Sequence, residues 1–380
     1  MGTNEPKDTQ KNIRQLIINP GSTSTKLAVY EGKTKQIQEN IEHNADELKN
    51  YKEIPDQLPL RLRVVQQFME RNHIDAKTLS AVIGRGGLVP GLKTGGYVVD
   101  KELDYALGSK LSSPHASNLG GMLTKRIADK YGIPAYIYDA VTSSELPPVA
   151  KITGIPDIQR QSFCHVLNSR AMAMKYADSR HVPYESLNLV VAHLGGGVSV
   201  SVHSQGKIID SLGDDDGQFS PERSGSVPSL ELVRLCYSGY YTDDEMKKKI
   251  RGRGGMYAYL GTSDCREIER RIQSGDEKAD LVLQAQAYQI AKGIGLLSIV
   301  LKGKCDAIIL TGGMAYSAML TERVKEYIEF IAPVVVMPGE NEMEALAYGG
   351  LRLLEGIEQP HFYHLPEQKS SGLTPAPRAL

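Results

Sequence analysis

No two cysteines in the chain stand at C-x-x-C spacing; Cys164, Cys236, Cys265 and Cys305 are isolated from one another. A zinc ribbon or a thioredoxin-type redox site therefore has no support, and a reducing cytoplasm is the simplest compartment. Charge of one sign is also lacking. The 380 residues carry 44 Lys and Arg against 45 Asp and Glu, a net charge of −1. That balance argues against nucleic acid as a partner and against a polybasic membrane-binding segment. Long hydrophobic runs are missing too: nothing approaches the roughly 18 apolar residues of a membrane span, so no membrane partner is expected. Met1 to Arg14 is polar and mixed in charge, without the apolar core that a secretory signal requires.

The familiar nucleotide and metal signatures are absent as well. GxxxxGK[ST] does not occur; Gly86 to Gly91 is followed by Leu92-Lys93-Thr94, one residue out of register. No GxGxxG opens a helix, and HRD, DFG and HExxH are all missing. A chain of this kind that uses ATP must use another fold.

What is present is ordinary globular composition, 41% hydrophobic and 23% charged, over a length that suggests two domains. Leu16 to Ile18 is an apolar run followed by Asn19-Pro20-Gly21, and a second apolar run starts at Leu27. This reads as strand, tight turn, strand. The arrangement returns at Leu189 to His193, Gly195-Gly196-Gly197 and Val198 to His203. Asn19 corresponds to His193 and Gly21 to Gly195, each 174 positions on (193 − 19 and 195 − 21). Glycine hairpins are common, but the paired spacing suggests two related domains. A third glycine turn, Thr311-Gly312-Gly313, follows the apolar run Ala307 to Leu310. Residues 315–329 and 284–302 read as helices. In the latter, Ile290, Ile294, Leu297 and Leu301 form a stripe expected to face the core. Residues 1–11 and 366–380 read as polar tails.

Asn19 to Lys26 offers one glycine, four hydroxyls and a lysine directly after a strand. Small residues let backbone N–H groups approach phosphate oxygens, and hydroxyls or a cation complete the cradle. A surface hairpin could share this composition, so the order of further motifs matters. Asn19 to Lys26 resembles the first phosphate motif of the acetate kinase family, NxGSxSxK. His193-Leu194-Gly195-Gly196-Gly197 resembles its second phosphate motif, and Glu222-Arg223-Ser224-Gly225 its catalytic arginine segment. Ser263-Asp264-Cys265-Arg266-Glu267 is similar to its nucleotide-contacting SDxRE segment. Thr311-Gly312-Gly313 is similar to its adenosine motif, and Asn341-Glu342 to its magnesium-binding NE pair. The six follow in the family's order from about residue 13 to 357. Within the family, Gly84-Arg85-Gly86-Gly87, the triple glycine at 195–197 and Arg160 to Asn168 resemble the butyrate kinase pattern rather than the acetate kinase one. Cys164 stands where that pattern has Phe, a difference of local packing.

The resemblance implies an α/β fold of two actin-like (ribonuclease H-like) domains with an ATP cleft between them. It places an acid-binding domain at 12–158, completed by 345–365, and a nucleotide-binding domain at 159–344. ATP and Mg2+ are the implied cofactors, a small carboxylic acid the substrate, a homodimer or higher homo-oligomer the assembly and the cytoplasm the location. Catalysis would fall to Arg85, Asp139, His165 and Arg223. ATP and its phosphates would be bound by Asn19, Ser22, Ser24, Lys26, His193, Gly195, Gly196, Gly197, Asp264, Arg266, Gly312 and Gly313. Arg85, His115 and Asn118 would hold the acid, and Glu342 and Asp139 the metal. Asp139 also qualifies by position, directly after the apolar run Ala135 to Tyr138, where ligands commonly bind at a strand end. Asp214-Asp215-Asp216 reads as a solvated loop. The implied reaction is ATP-dependent phosphorylation of a short-chain fatty acid, with butyrate favoured. The alternatives are acetate, propionate or branched acids, or a non-catalytic actin-like ATPase.

Overall fold

In the computed structural model, which describes residues 13–366, the apolar runs become the central strands of two sheets. The tails read at 1–11 and 366–380 lie outside the described residues, apart from Pro366. By internal contacts the described chain divides into a first unit, 13–140 with 342–366, and a second, 141–341.

The first unit is built on β1 (Arg14–Pro20), β2 (Ser24–Glu31), β3 (Thr34–Glu42), β4 (Ala81–Arg85), β5 (Gly96–Val98) and β6 (Ala135–Tyr138), in the order β3-β2-β1-β4-β6-β5. Leu16, Ile17 and Ile18 are all fully buried. An unbroken apolar run is what a strand covered on both faces requires. β1 pairs antiparallel with β2 and parallel with β4, and β4 pairs parallel with β6. At the edge, β3 keeps a polar, alternately exposed sequence with Lys35, Glu39 and Glu42, which discourages further strand pairing. Helix Asn118–Tyr131 crosses β4 very closely: a Cβ on Gly84 would come within 2.6 Å of the Gly120 carbonyl oxygen. This glycine-on-glycine approach brings the end of β4, and with it Arg85, against the start of that helix. Helix Glu342–Leu354 packs against β1, β4 and β6, and there too a glycine, Gly350, sits tight on Ile83 and Gln15.

The second unit repeats the plan with β7 (Asn188–Leu194), β8 (Val198–Ser204), β9 (Lys207–Leu212), β10 (Ala307–Gly312) and β11 (Val334–Pro338), in the order β11-β10-β7-β8-β9. β7 and β8 start 174 residues after β1 and β2 (188 − 14 and 198 − 24). With β5 set aside, both sheets read as an antiparallel meander followed by two parallel strands. The long helix Glu277–Ser298 lies on this sheet, and Ile290, Ile294 and Leu297, with Leu301 just beyond, are buried in its core as their spacing predicts. Each such side chain contributes about 1.5–3 kcal/mol relative to exposure. The helix read at 315–329 is a 3-10 turn at Gly313–Tyr316 and then an α-helix at Ala318–Ile328. Cys164 packs with Val166 and Ile208 in a small buried cluster.

Candidate active site

In both units several candidate residues lie at the carboxyl ends of parallel strands, where α/β sheets bind ligands. In the first unit, Asn19 lies near the end of β1, Arg85 closes β4 and Asp139 follows β6 directly. Glu342 opens the helix that packs on these strands. Its Oε1 is 2.9 Å from Arg85 Nη1, and its Oε2 accepts a 2.8 Å hydrogen bond from Asn19 Nδ2. The structure thus joins Asn19, Arg85 and Glu342 in one cluster. Asp139 is buried and adopts a left-handed backbone (φ 43°), a conformation that Asp tolerates better than most residues. It is locked to Gly95 by two bonds: Gly95 N–H donates to Asp139 Oδ1 at 2.7 Å, and Asp139 N–H to the Gly95 carbonyl at 3.1 Å.

Ser22 and Lys26 are exposed and Ser24 is half-buried on the first glycine hairpin, and Lys26 is the ladder partner of Asn19. His115 is exposed and its Nδ1 bonds Ser117 Oγ at 2.7 Å. Asn118 is buried. Its Oδ1 accepts from Leu88 N–H, and its Nδ2 donates to Ser112 Oγ and the Ser113 carbonyl. That amide staples the loop after β4 to the loop before the helix.

In the second unit, His165 and His193 stack with ring centroids 3.9 Å apart and planes 12° from parallel. His165 Nδ1 meets Ser199 Oγ at 2.8 Å. His193 Nδ1 faces Asn168 Nδ2 at 2.9 Å; as an acceptor there, Nδ1 leaves the ring proton on Nε2. Nε2 lies 3.2 Å from Glu340 Oε1. Gly195 and Gly197 make this packing possible. A Cβ on Gly195 would run into Glu340 and His193, and one on Gly197 into the Arg223 guanidinium and His165. Gly196 has open space around it. Gly312 (φ 91°) presses its backbone on Leu194, and Gly313 lies beside Glu340. His165, His193, Gly195, Gly197 and Arg223 therefore form one cluster. Asp264 and Arg266 bond to each other instead: Asp264 caps helix Cys265–Gln273, and its carboxylate takes Arg266 Nε at 3.1 Å and Nη2 at 3.0 Å.

Two acidic residues here escaped sequence reasoning. Asp214, read as part of a solvated loop, is buried, whereas Asp215 and Asp216 are exposed. One Asp214 oxygen pairs with Arg223, and the other takes Arg251 Nη2 at 3.0 Å. Arg223 and Arg251 are themselves backbone bridge partners, so one carboxylate between them offsets their repulsion and holds Arg223 over Gly197. Nothing within the Asp run distinguishes its first member; the only signal is the arginine nine positions later. Glu340 was passed over for Glu342, two residues on, because only the latter sits in a recognisable motif.

The first glycine hairpin carries backbone N–H groups and hydroxyls, and that of the second unit carries backbone N–H groups with a guanidinium and imidazoles beside it; each set, taken by itself, has the chemistry of an anion site. Among the described residues no group of three or more His, Cys, Asp or Glu side chains is arranged to enclose a metal ion. Magnesium keeps waters and phosphate oxygens and takes one or two carboxylates. Glu342 fits that role, since each of its oxygens retains acceptor capacity beyond one hydrogen bond. No helix among the described residues is long and apolar enough to cross a membrane.

Comparison with known proteins finds relatives along nearly the whole chain. Residues 160–342 match the model of the Acetokinase family. A probable butyrate kinase 2 of Caldanaerobacter subterraneus subsp. tengcongensis is 48% identical over 352 residues, 92% of this chain and 99% of the relative. Butyrate kinase 2 of Clostridium acetobutylicum is 45% identical over 353 residues, with the same coverage. Among solved structures, Porphyromonas gingivalis acetate kinase superposes with a TM-score of 0.74 at 17% identity, covering 90% of this chain and all of that one. A propionate kinase from Francisella tularensis gives 0.68 at 18% identity, covering 89% and 98%. The fold is the actin-like two-domain α/β fold of those kinases, and the chain belongs to the acetokinase family, where it groups with the butyrate kinases.

Proposed function

We propose that the protein transfers the terminal phosphoryl group of ATP to a short aliphatic carboxylic acid, butyrate before others, giving the acyl phosphate and ADP reversibly. The observation that carries this reading is similarity at 44–48% identity to proteins named butyrate kinases, over 99% of their length. The chemistry of the two clusters supports it. A short fatty acid has a pKa of about 4.3, like Glu, and is already a carboxylate at neutral pH. It needs no general base; the obstacle is the approach of one anion to another. Cations and positioning are what phosphoryl transfer then demands.

In this reading Arg85 grips the acid, with His115 beside it and Asn118 shaping the adjoining loop. The Glu342 carboxylate now on Arg85 stands in for an anion at that guanidinium. Asn19, Ser22, Ser24 and Lys26 meet phosphate oxygens, as do the amides of Gly195, Gly196 and Gly197. Arg223, His165 and His193 Nε2 donate to the phosphoryl group while an acid oxygen forms the new P–O bond and the bond to ADP breaks. Asp264, Arg266, Gly312 and Gly313 attend the nucleoside side. Glu342, with Asp139, would hold magnesium, and a bound magnesium ion neutralises phosphate charge. Residence in the cytoplasm and assembly at least into a dimer belong to the same proposal. The four cysteines, all free of disulfides, agree with a reducing compartment.

The test is purified protein with ATP, magnesium, acid and hydroxylamine, which converts acyl phosphate to hydroxamate. Acid-dependent hydroxamate is expected; ATP hydrolysis without it would leave a simple ATPase. Chain length follows from burial. Two extra methylenes at about 0.8 kcal/mol each give roughly 1.6 kcal/mol, or a factor of about 15. Measured kcat/KM should rise from acetate through propionate to butyrate, and acetate equal to butyrate would defeat the butyrate preference.

A further inference from the structure

Arg61 is the largest fully buried side chain of the molecule's described residues, with no solvent exposure. It lies on helix Leu58–Arg71, and its guanidinium points at the first glycine hairpin. Nη1 donates to the carbonyl oxygens of Gly21 at 2.8 Å and Ser24 at 2.9 Å, and to Thr25 Oγ1 at 3.2 Å. Nη2 donates to the Ser22 carbonyl at 3.0 Å. Gln57 Oε1 takes Nε at 3.1 Å and Nη2 at 2.9 Å, which fixes the plane of the group. The remaining carbonyl of the turn, that of Thr23, accepts from His43 N–H at 2.8 Å. Four consecutive carbonyls, 21 to 24, are thus held by Arg61 and His43, and Ser22 and Thr23 are exposed.

The charge balance is unusual. Every acceptor around Arg61 is neutral, and no carboxylate pairs with it among the described residues. A buried ion is costly unless an opposite charge approaches it. Burial alone lowers its pKa, to about 10, so it remains a cation throughout neutral pH. We infer that Arg61 is a positioning residue of the first phosphate turn, and that the anion which completes its charge balance is the polyphosphate of the nucleotide. It acts through the turn: it fixes the backbone and supplies positive potential from behind, without touching the reacting atoms. This rests on the reading of residues 19–26 as a phosphate turn.

Three variants of the full chain test it: Arg61→Lys, which retains charge but loses the planar fork, Arg61→Gln, which loses both, and Gln57→Met, which only frees the guanidinium to tilt. Circular dichroism checks the fold, and steady-state kinetics give KM for ATP, KM for butyrate and kcat. KM for ATP is expected to rise about tenfold or more in Arg61→Gln, the scale of a lost charged hydrogen bond. It should rise less in Arg61→Lys and a few-fold in Gln57→Met, with KM for butyrate unchanged throughout. A purely structural role would instead lower the active fraction, reducing kcat and leaving both KM values alone; that result overturns the inference. If neither Arg61 variant folds, Gln57→Met decides by the same split. Absence of hydroxamate from the parent protein would count against the proposed reaction. A normal parent with an unmoved KM for ATP in folded variants would count against Arg61 alone.

Discussion

The two glycine hairpins share strand order and turn position, and their ladders differ by one residue, Asn19 facing Lys26 where His193 faces Ser199, yet they prepare their turns from opposite sides. In the first, between β1 and β2, a serine- and threonine-rich turn is held from behind, its carbonyls bound by Arg61 and His43. In the second, between β7 and β8, the glycines carry no side chains of their own, and Arg223, His165, His193 and Glu340 close on them from the front. The same backbone element therefore does two jobs. One turn brings its own hydroxyls; the other makes room for side chains from elsewhere in the sequence.

The largest effect should come from breaking the front-side arrangement. Arg223→Ala is expected to reduce turnover by about 10²-fold to 10³-fold with the fold intact, the usual cost of losing one transition-state donor. Kinetics with circular dichroism check it, and near-normal turnover in a folded variant would remove Arg223 from the mechanism. A subtler break uses the glycines. Gly197→Ala sets a methyl against Arg223 and His165, whereas Gly196→Ala meets open space. Displacing aligned groups by a fraction of an ångström can cost roughly 10- to 100-fold in turnover. Gly197→Ala should fall in that range and Gly196→Ala should stay close to the parent. Equal behaviour of the pair would mean that the front-side packing is irrelevant to the chemistry.

On the first hairpin's side, Glu342→Gln removes the charge that now binds Arg85 and Asn19. The magnesium concentration for half-maximal activity should increase several-fold, while nucleotide binding in metal-free buffer changes little. A magnesium titration of both proteins decides, and superimposable curves would remove Glu342 as a ligand.

At neutral pH the smallest effect is on stability. His203, on β8, is fully buried between Tyr184 OH at 2.7 Å and Ser201 Oγ at 2.9 Å, and burial lowers its pKa to about 3. The unfolded chain, with an ordinary His pKa near 6.5, binds the proton first. Stability from this group is complete above about pH 6.5 and declines as pH falls toward 3, by up to about 1.4 kcal/mol per pH unit. Denaturant unfolding at several pH values should show that slope, and His203→Gln should flatten it. An unchanged acid limb in the variant would show that other groups set it.

Much of this could be read from the sequence because it is written locally. β1 and β7 each carry an apolar run, Leu16 to Ile18 and Leu189 to Ala192, and a glycine directly follows each strand, so both hairpins and the 174-residue offset between them are visible without coordinates. The stripe from Ile290 to Leu301 is equally local. What could not be read depends on partners distant in sequence. Arg61 sits in Leu-Pro-Leu-Arg-Leu-Arg, where an arginine passes for a solvated one; its acceptors other than Gln57 lie 36 to 40 residues earlier. Asp214 is buried only because two arginines, 9 and 37 residues later, need one carboxylate. Glu340 and Glu342 are two positions apart, and composition cannot say that one meets His193 and the other Arg85.

The path of the chain through the first unit has a consequence for biosynthesis. The chain leaves that unit at Ala140 and re-enters it only at Glu342. As the ribosome delivers residues in order, the second unit emerges as one uninterrupted stretch and can fold while the first still lacks helix Glu342–Leu354. Until that helix arrives, Ile83 and Tyr138, which its glycines 349 and 350 cover, remain an open apolar face, and Gln15 lacks the Ala347 carbonyl to which its amide donates. Such faces are where newly made chains aggregate or are bound by chaperones. A nascent chain stalled before residue 342 therefore exposes a sheet that it cannot cover, so the first unit, although most of it is made first, is the last to become native.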